Sequence, residues 1–277
     1  MTNPADISKS KALLKLGQVT AVFSYFCRKA MLAYCRLEDR DTRSDVLMDF
    51  VRRIEANTSG IRELVTVSIE QNNSNQYYKL PIGLLLRSCV LYSLQGLYLS
   101  SMSPEEADEI ITQFDQDYVR SLPSRFEVYS DRAGLKRIDD GFLRHLYGLQ
   151  IEDNFPNQVD YSSVHDGYFQ IKKTSNPKTI RSMYQDLQKN GEYKNLSRYL
   201  YAYFKAYSQY EHFSLMGHGD SLVPYDEDSP MISKPYEYIS EAATHIVRCA
   251  VYDDSQIMSY MSAIGDNVKK INYSEEE

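Results

Sequence analysis

Apolar residues recur at steps of three and four along several long segments, and this spacing narrows the possible folds more than any other feature. It places them on one side of an α-helix, whereas a half-buried strand needs them at every second position. The pattern predicts helices over about residues 7–36, 42–70, 80–100, 103–122, 179–189 and 193–215, and from 235 to 264 or beyond. Turn residues are few, with 12 Gly and 9 Pro in 277 residues. We therefore predict an all-α fold, an antiparallel helical bundle with long helices and an irregular central segment.

The chain is long enough for one large domain, and no internal repeat divides it. We expect a single helical domain over residues 1–277. The window 123–177 holds more Gly and Pro than comparable stretches, which predicts an irregular insertion or connection there. Strand patterns are nearly absent. The acidic tail, residues 271–277, is expected to be disordered.

Charge and cysteine content limit the class of partner and the compartment. The chain has 31 basic and 38 acidic residues and a net charge of −7, which disfavours binding to nucleic acid or anionic lipid. Its polar N-terminus lacks the apolar core of a signal peptide, and its four cysteines lack metal-like spacing. The apolar stretch 80–99 is long enough to span a membrane, but Arg87 near its centre favours a buried helix of a bundle. We expect a cytoplasmic protein with reduced thiols and no membrane association.

Arg87 is the costliest residue in this pattern, because it lies on a helix whose other faces are apolar. Its guanidinium either reaches water, pairs inside the bundle, or holds an anion by bidentate contacts. Farther along the chain, Ser208 and His212 are four residues apart and share a helical face. Such a hydroxyl and imidazole could brace two helices or begin nucleophilic chemistry. We predict a polar site that consists of Arg87, Ser88, Ser208, Glu211 and His212, with no catalytic role assigned to any of them.

A metal site is a weaker alternative for the last two predicted helices. It would use side chains that carry nitrogen or oxygen ligands, namely His212, His218, Glu241 and His245. Their spacing matches neither the Glu-x-x-His motif of di-iron bundles nor HExxH. We therefore expect no metal and no cofactor.

Tyrosine is conspicuous, with 24 Tyr and no Trp. Many of these rings crowd the helix predicted over 193–215, at positions 193, 199, 201, 203, 207 and 210. They cannot all face inward, so exposed rings beside Lys194, Arg198 and Lys205 could stack bases or ligand rings. The simpler interpretation is that tyrosine covers the surface of the bundle.

Two motifs carry a resemblance to known proteins: Arg87-Ser88 inside an apolar helix, and Tyr207, Ser208, His212 and Ser214 at the end of a later one. Together they resemble a group of uncharacterised bacterial all-helical proteins, distantly similar to HEPN and abortive-infection helical domains. The resemblance implies a bacterial helical protein and, as one alternative, a HEPN-like nuclease or phosphate-handling enzyme of a bacterial defence system.

The residues themselves favour a non-enzymatic interaction or ligand-binding protein with a buried polar site. We expect its partner to be another protein or a small anionic ligand, and a homodimer is compatible with the sequence. Whether the chain is an enzyme is left open at this point.

Overall fold

The computed structural model of the chain describes residues 4–70, 78–111, 113, 159–165, 168–171, 178–189, 191–211, 232–252 and 254–274. Contacts divide the chain into two compact units, Met1–Met102 with Thr179–Glu277, and Ser103–Lys178. We expected one domain over 1–277 with an irregular segment at 123–177. The second unit instead begins earlier, at Ser103.

The described residues form eight helices and two strands, which confirms the predicted all-α class for the chain as a whole. In chain order they are α1 (Pro4–Tyr34), α2 (Thr42–Glu70), α3 (Lys79–Ser100), α4 (104–111), β1 (Val159–His165), β2 (Tyr168–Ile171), α5 (Ile180–Leu187), α6 (Lys194–Glu211), α7 (Pro235–Val251) and α8 (Ser255–Tyr273).

Successive helices of the larger unit pack antiparallel. On α1 and α2, the ends joined by the short connection meet where Tyr34 donates a hydrogen bond to Asp45 at 2.9 Å. The opposite ends meet where Gly17 packs against Val65. Farther into the bundle, α3 packs against α2, α5, α6 and α7, while α8 packs against α1 and α7. The antiparallel bundle predicted from the sequence is confirmed, with α3 near its centre.

Helix α3 is the most apolar helix of the bundle. By length and composition it is the single helix, among the residues that the structure describes, that could cross a membrane. In the bundle, 61% of its most apolar window is buried. Its largest buried side chains include Tyr98, Leu86 and Leu94, each with at most 1% of its surface exposed. The apolar faces of α3 are therefore covered mainly by the other helices.

A small polar network joins α2, α3 and α7 inside this core. The Tyr236 hydroxyl donates to Thr58 Oγ1 at 3.1 Å, and Thr58 Oγ1 donates to the Ile54 carbonyl oxygen at 2.8 Å. Cys89 Sγ lies 3.6 Å from the same carbonyl oxygen and 3.8 Å from Thr58 Oγ1. Burial raises the pKa of the Cys89 thiol to about 12. The network is thus composed of neutral, mutually hydrogen-bonded groups, as a buried site requires.

The end of the bundle differs from the sequence prediction, which ran one helix from 235 past 264. Helix α7 stops at Val251, and Tyr252 adopts the left-handed conformation with φ 48° and ψ 48°. Asp254 then caps α8 by accepting a hydrogen bond from the Ile257 backbone N–H at 2.9 Å. Residues 253–256 are all polar and the apolar spacing resumes at Ile257, so periodicity on both sides of the gap did not by itself separate the two helices. The capping residue was the available signal.

The expected disordered tail, residues 271–277, is also corrected, because α8 extends to Tyr273. Lys15 Nζ donates to the Asn272 carbonyl oxygen at 2.6 Å. The Glu237 carboxylate accepts hydrogen bonds from Asn272 Nδ2 at 2.9 Å and from the Tyr273 hydroxyl at 3.2 Å. These contacts to α1 and α7 hold the last turn of the helix. Residues 275–277 lie outside the described part of the chain.

The smaller unit contains α4 and an antiparallel pair of strands. Helix α4 begins with a capping box, since Glu106 N–H donates to Ser103 Oγ at 3.3 Å and Ser103 N–H donates to Glu106 Oε2 at 3.1 Å. Strands β1 and β2 pair from Val159 with Ile171 to His165 with Tyr168. They fall inside 123–177, where we expected no strands. The β-branched and aromatic residues of this stretch and its Asp-Gly dipeptide favour a hairpin.

Gly96 provides a test of how tightly α3 is packed. A methyl group added there would lie 2.4 Å from Ile246 Cδ1 and 3.0 Å from Ile246 Cγ1, on a fully buried side chain of α7. Gly96→Ala should therefore lower the free energy of unfolding by about 1–3 kcal/mol, measured by urea denaturation.

The matched control for this experiment is Gly265→Ala, because nothing lies within 4 Å of the added group. Helix propensity alone should raise its stability by up to about 1 kcal/mol. Equal stability of Gly96→Ala and the wild-type protein would contradict the close packing of α3 against α7.

Candidate functional site

Helix α6 presents aromatic residues on two different faces. On one face, Tyr201 and Phe204 lie towards α3 and α5, with ring centroids 6.3 Å apart. On the other face, Tyr199 and Tyr203 pack against Tyr238 of α7, with centroids 4.6 Å and 6.0 Å from that ring. The crowding of tyrosines seen in the sequence is thus resolved by packing on two sides of one helix.

Arg87 meets the first of these faces. Its Nε donates a hydrogen bond to Ser208 Oγ at 3.3 Å, across 121 positions of the chain. Its guanidinium carbon lies 5.0 Å from the Phe204 ring centroid, which is a cation–π geometry. Ser208 Oγ also donates to the Phe204 carbonyl oxygen at 2.7 Å. The structure therefore brings Arg87 and Ser208 together, as the predicted site requires, and adds Phe204 to them.

The other members of the predicted site stand differently. Ser88 Oγ donates to the Leu84 carbonyl oxygen of its own helix at 3.1 Å, so this hydroxyl serves α3 locally. Glu211 is the last residue of α6, and its side chain lies outside the described part of the chain, as do His212 and His218. The pairing of Ser208 with His212, and the approach of His212 to Arg87, stay predictions.

Glu241 and His245, from the alternative metal site, lie on α7. His245 Nδ1 is 3.8 Å from the Glu192 carboxylate, and its ring meets Tyr193 edge-on with centroids 5.4 Å apart. Within the described ranges, no group of three or more potential ligands could hold a metal ion. Glu241 is exposed, and His245 contacts Glu192 and Tyr193, which lie just before the start of α6.

Burial lowers the pKa of His245 below its ordinary value of 6.5, and Arg248 acts in the same direction. Glu192 and Glu241 act in the opposite direction. The Glu192 side chain is 61% exposed, so water screens its attraction for the imidazolium and burial has the larger effect. His245 is therefore a neutral side chain at the junction of α6 and α7.

A shallow groove of about 360 Å³ lies between α5 and α6. Its aromatic wall is the pair Tyr184 and Tyr201, stacked with centroids 4.2 Å apart and planes 6° apart. Arg181, Gln185 and Lys205 complete its lining. Tyr201 in the groove wall lies beside Phe204, and Phe204 is the ring on which Arg87 lies.

A second groove, of about 180 Å³, lies between α1 and α2. Its cations are already engaged, because Arg28 Nε donates to the Glu55 carboxylate at 2.7 Å and Lys29 Nζ lies 5.6 Å from the Tyr25 ring centroid. Glu55 is buried, so its pair with Arg28 is part of the packing of α1 on α2. This groove is the weaker candidate for binding an anion.

Four residues near Arg87 or in the groove were not predicted from the sequence: Phe204, Tyr184, Arg181 and Gln185. A signal for Phe204 was present, since it lies four residues before Ser208 and three after Tyr201 and so shares their helical face. Tyr184 belongs to α5, which a short connection joins to α6, and short connections favour antiparallel neighbours. The register that places Tyr184 against Tyr201, however, depends on how both helices pack on α3.

The contact between Arg87 and Ser208 can be measured by a double-mutant cycle. Arg87→Met, Ser208→Ala and the double variant should show a coupling of about 1 kcal/mol in the free energy of unfolding, because the hydrogen bond is partly buried. Urea denaturation of the four proteins gives this value. Additivity within about 0.3 kcal/mol would show that the contact does not exist in solution.

His245 should make the protein sensitive to acid. The unfolded chain takes up a proton near pH 6.5, whereas folded His245 does so only at lower pH, so stability is full above this range and falls as the pH drops through it. His245→Gln should remove this part of the pH dependence. Denaturation curves at about pH 7.5 and about pH 5.5 give the comparison. An equal loss of stability in both proteins would contradict the lowered pKa.

Comparisons of the chain with protein-family models, with curated protein sequences and with solved structures found no significant match. The resemblance to HEPN-type helical domains therefore stays a prediction that depends on two sequence motifs. The function is accordingly inferred from the geometry of the described side chains.

Proposed function

We propose that this chain is a non-enzymatic helical protein that binds a small anion where α3 packs against α6, with Arg87 as the cation and Ser208 beside it. The observation that carries the proposal is the hydrogen bond between Arg87 Nε and Ser208 Oγ at 3.3 Å. It supports a polar site between helices that are distant in sequence, at the one charged position in the interior of a helix that is apolar over most of its length and whose other charge, Lys79, is its first residue.

Arg87 is suited to binding because it is held in place before a ligand arrives. The Phe204 ring supports one face of the guanidinium, and Ser208 contacts its Nε. Side-chain order that exists before binding reduces the entropy lost on binding. A planar guanidinium also matches the oxygens of phosphate or carboxylate better than an ammonium group does.

The geometry around Ser208 supports binding rather than nucleophilic catalysis. Its hydroxyl donates to the Phe204 carbonyl oxygen and accepts from Arg87. Neither of these two partners can take its proton, which an activated serine requires. The buried cysteines are equally poor nucleophiles, because burial raises the pKa of Cys27 and Cys89.

The alternative is a HEPN-like nuclease or phosphate-handling enzyme, which would use Arg87 and Ser208 together with Glu211 and His212. Binding and catalysis by the same residues make different demands. A labelled single-stranded RNA should stay uncleaved when incubated with a binding protein. A nuclease should cleave this RNA and should lose the activity when Arg87 or His212 is replaced.

The proposal is tested with inorganic phosphate as the probe and Arg87→Met as the variant. Phosphate should raise the melting temperature of the wild-type protein, and the stabilisation should grow with the logarithm of one plus the ratio of phosphate concentration to Kd. Arg87→Met should weaken the apparent affinity at least about fivefold, because a charge-assisted contact is lost.

Arg52→Met is the matched control, since Arg52 is an exposed cation on α2 that pairs with Asp49 of its own helix. It should bind phosphate as the wild-type protein does. Equal phosphate affinity in all three proteins, no phosphate binding at all, or RNA cleavage that Arg87→Met abolishes would each overturn the proposal.

A further inference from the structure

The groove between α5 and α6 combines the two features that recognise a flat, negatively charged molecule. Tyr184 and Tyr201 are partly buried, stacked on one another and both part of the groove wall, so ring surface is presented to whatever enters. Aromatic side chains bind flat rings by stacking, with little dependence on the identity of the ring.

The cations of the groove complement this surface. Arg181 and Lys205 are exposed, and neither forms an ion pair with a carboxylate in the parts of the chain that the structure describes. They stand on different helices, so an anionic group in the groove can contact both. Gln185 adds an amide that can donate and accept hydrogen bonds.

The charge of this region differs from that of the chain. From residue 180 to residue 211 there are five basic and three acidic residues, in a chain of net charge −7. One of the acidic residues, Asp186, is already paired with Lys189 at 2.7 Å. The hairpin of α5 and α6 is thus a locally positive surface on an acidic protein, which favours anions at this place.

The order of the side chains gives the groove a firm base. Arg87 lies on Phe204, Phe204 lies beside Tyr201, and Tyr201 stacks on Tyr184. Because Arg87 belongs to the buried helix α3, the row of rings is tied to the core of the bundle. Rings held in this way lose little freedom when a ligand stacks on them.

The size of the groove and the overall charge favour one small molecule over a polymer. A volume of about 360 Å³ lies at the lower end of the range for small-ligand sites. A nucleic-acid strand would need a basic track longer than one groove, and it would be repelled by the rest of an acidic chain.

We propose that the groove between α5 and α6 binds a planar aromatic ring that carries a phosphate or comparable anionic group, of which a mononucleotide is the simplest example. The ligand ring stacks on an outer face of the Tyr184–Tyr201 pair, because the inner faces of the two rings cover one another, while Arg181 and Lys205 hold the anionic group. This site is separate from the anion contact proposed for Arg87 and does not depend on it.

The experiment compares three probes by isothermal titration calorimetry with the full chain: adenosine 5′-monophosphate, adenosine and inorganic phosphate. The monophosphate should bind at least about tenfold more tightly than adenosine, which lacks the charge, and than phosphate at this groove, which lacks the ring. Phosphate bound through Arg87 is recognised separately, because Arg87→Met weakens it while the groove variants do not.

Variants of the groove should separate the two contributions. Lys205→Met and Arg181→Met should each weaken binding of the monophosphate at least about fivefold and leave the affinity for adenosine unchanged. Tyr201→Leu should weaken binding of the monophosphate and of adenosine by a similar factor, because both probes lose a stacking partner. Tyr184→Phe should bind both probes as the wild-type protein does, because the aromatic ring remains. Circular dichroism and the melting temperature verify that each variant is folded.

The matched controls lie on the same helix but outside the groove. Arg198→Met removes an exposed cation of α6, and Tyr199→Leu removes a ring that stacks on Tyr238 and is 49% exposed. Both should bind the monophosphate as the wild-type protein does.

Three results would overturn the inference: no binding of the monophosphate at millimolar concentration, affinity unchanged by the Lys205 and Tyr201 variants, or equal loss in the controls. Phosphate binding that depends on Arg87 while the monophosphate fails to bind would refute this site only. Groove binding without any effect of Arg87 on phosphate would refute the proposed function only.

Discussion

Burial of α3 organises this molecule. A helix of 22 residues with so few polar side chains must be covered on nearly all sides, since exposed apolar surface is costly in water. Helices α2, α5, α6 and α7 provide that cover. At Gly96 the packing leaves no room for even a methyl group without movement of Ile246. The polar groups that enter this core, such as Tyr236 and Thr58, satisfy one another.

Arg87 is the exception on α3, and its position explains the arrangement of the surface nearby. The guanidinium cannot remain unpaired among apolar side chains, and it lies where α6 offers a hydroxyl and an aromatic ring. This contact orients α6, so that Tyr201 and Phe204 lie towards α3 and α5 while Tyr199 and Tyr203 lie towards α7. One partly buried charge thereby links the core to a surface groove with stacked rings and cations. The same arrangement would make the groove a rigid binding surface.

Much of the helical architecture was predictable, and the failures have identifiable physical reasons. The bounds of α2 and the capping box at Ser103 follow from local sequence, because helix periodicity and caps involve residues a few positions apart. The break at Tyr252 was missed because the apolar spacing resumes at Ile257 after only four polar residues. The strands were missed because a helical period of three to four does not reveal residues that alternate with a period of two. For the candidate site, Arg87 and Ser208 were identified, whereas Tyr184 and Arg181 were not.

Residue spacing along the chain was sufficient to predict the fold class, the long helices and the energetic cost of a charge at Arg87. Each of these depends on interactions within one helix. Packing was needed to show that Arg87 meets Ser208 and Phe204, and that Tyr184 stacks on Tyr201. Those contacts join residues from separate helices. The register between the helices is set by how all of them pack around α3 at once. No local pattern contains that information, because it arises from the shape of the whole core.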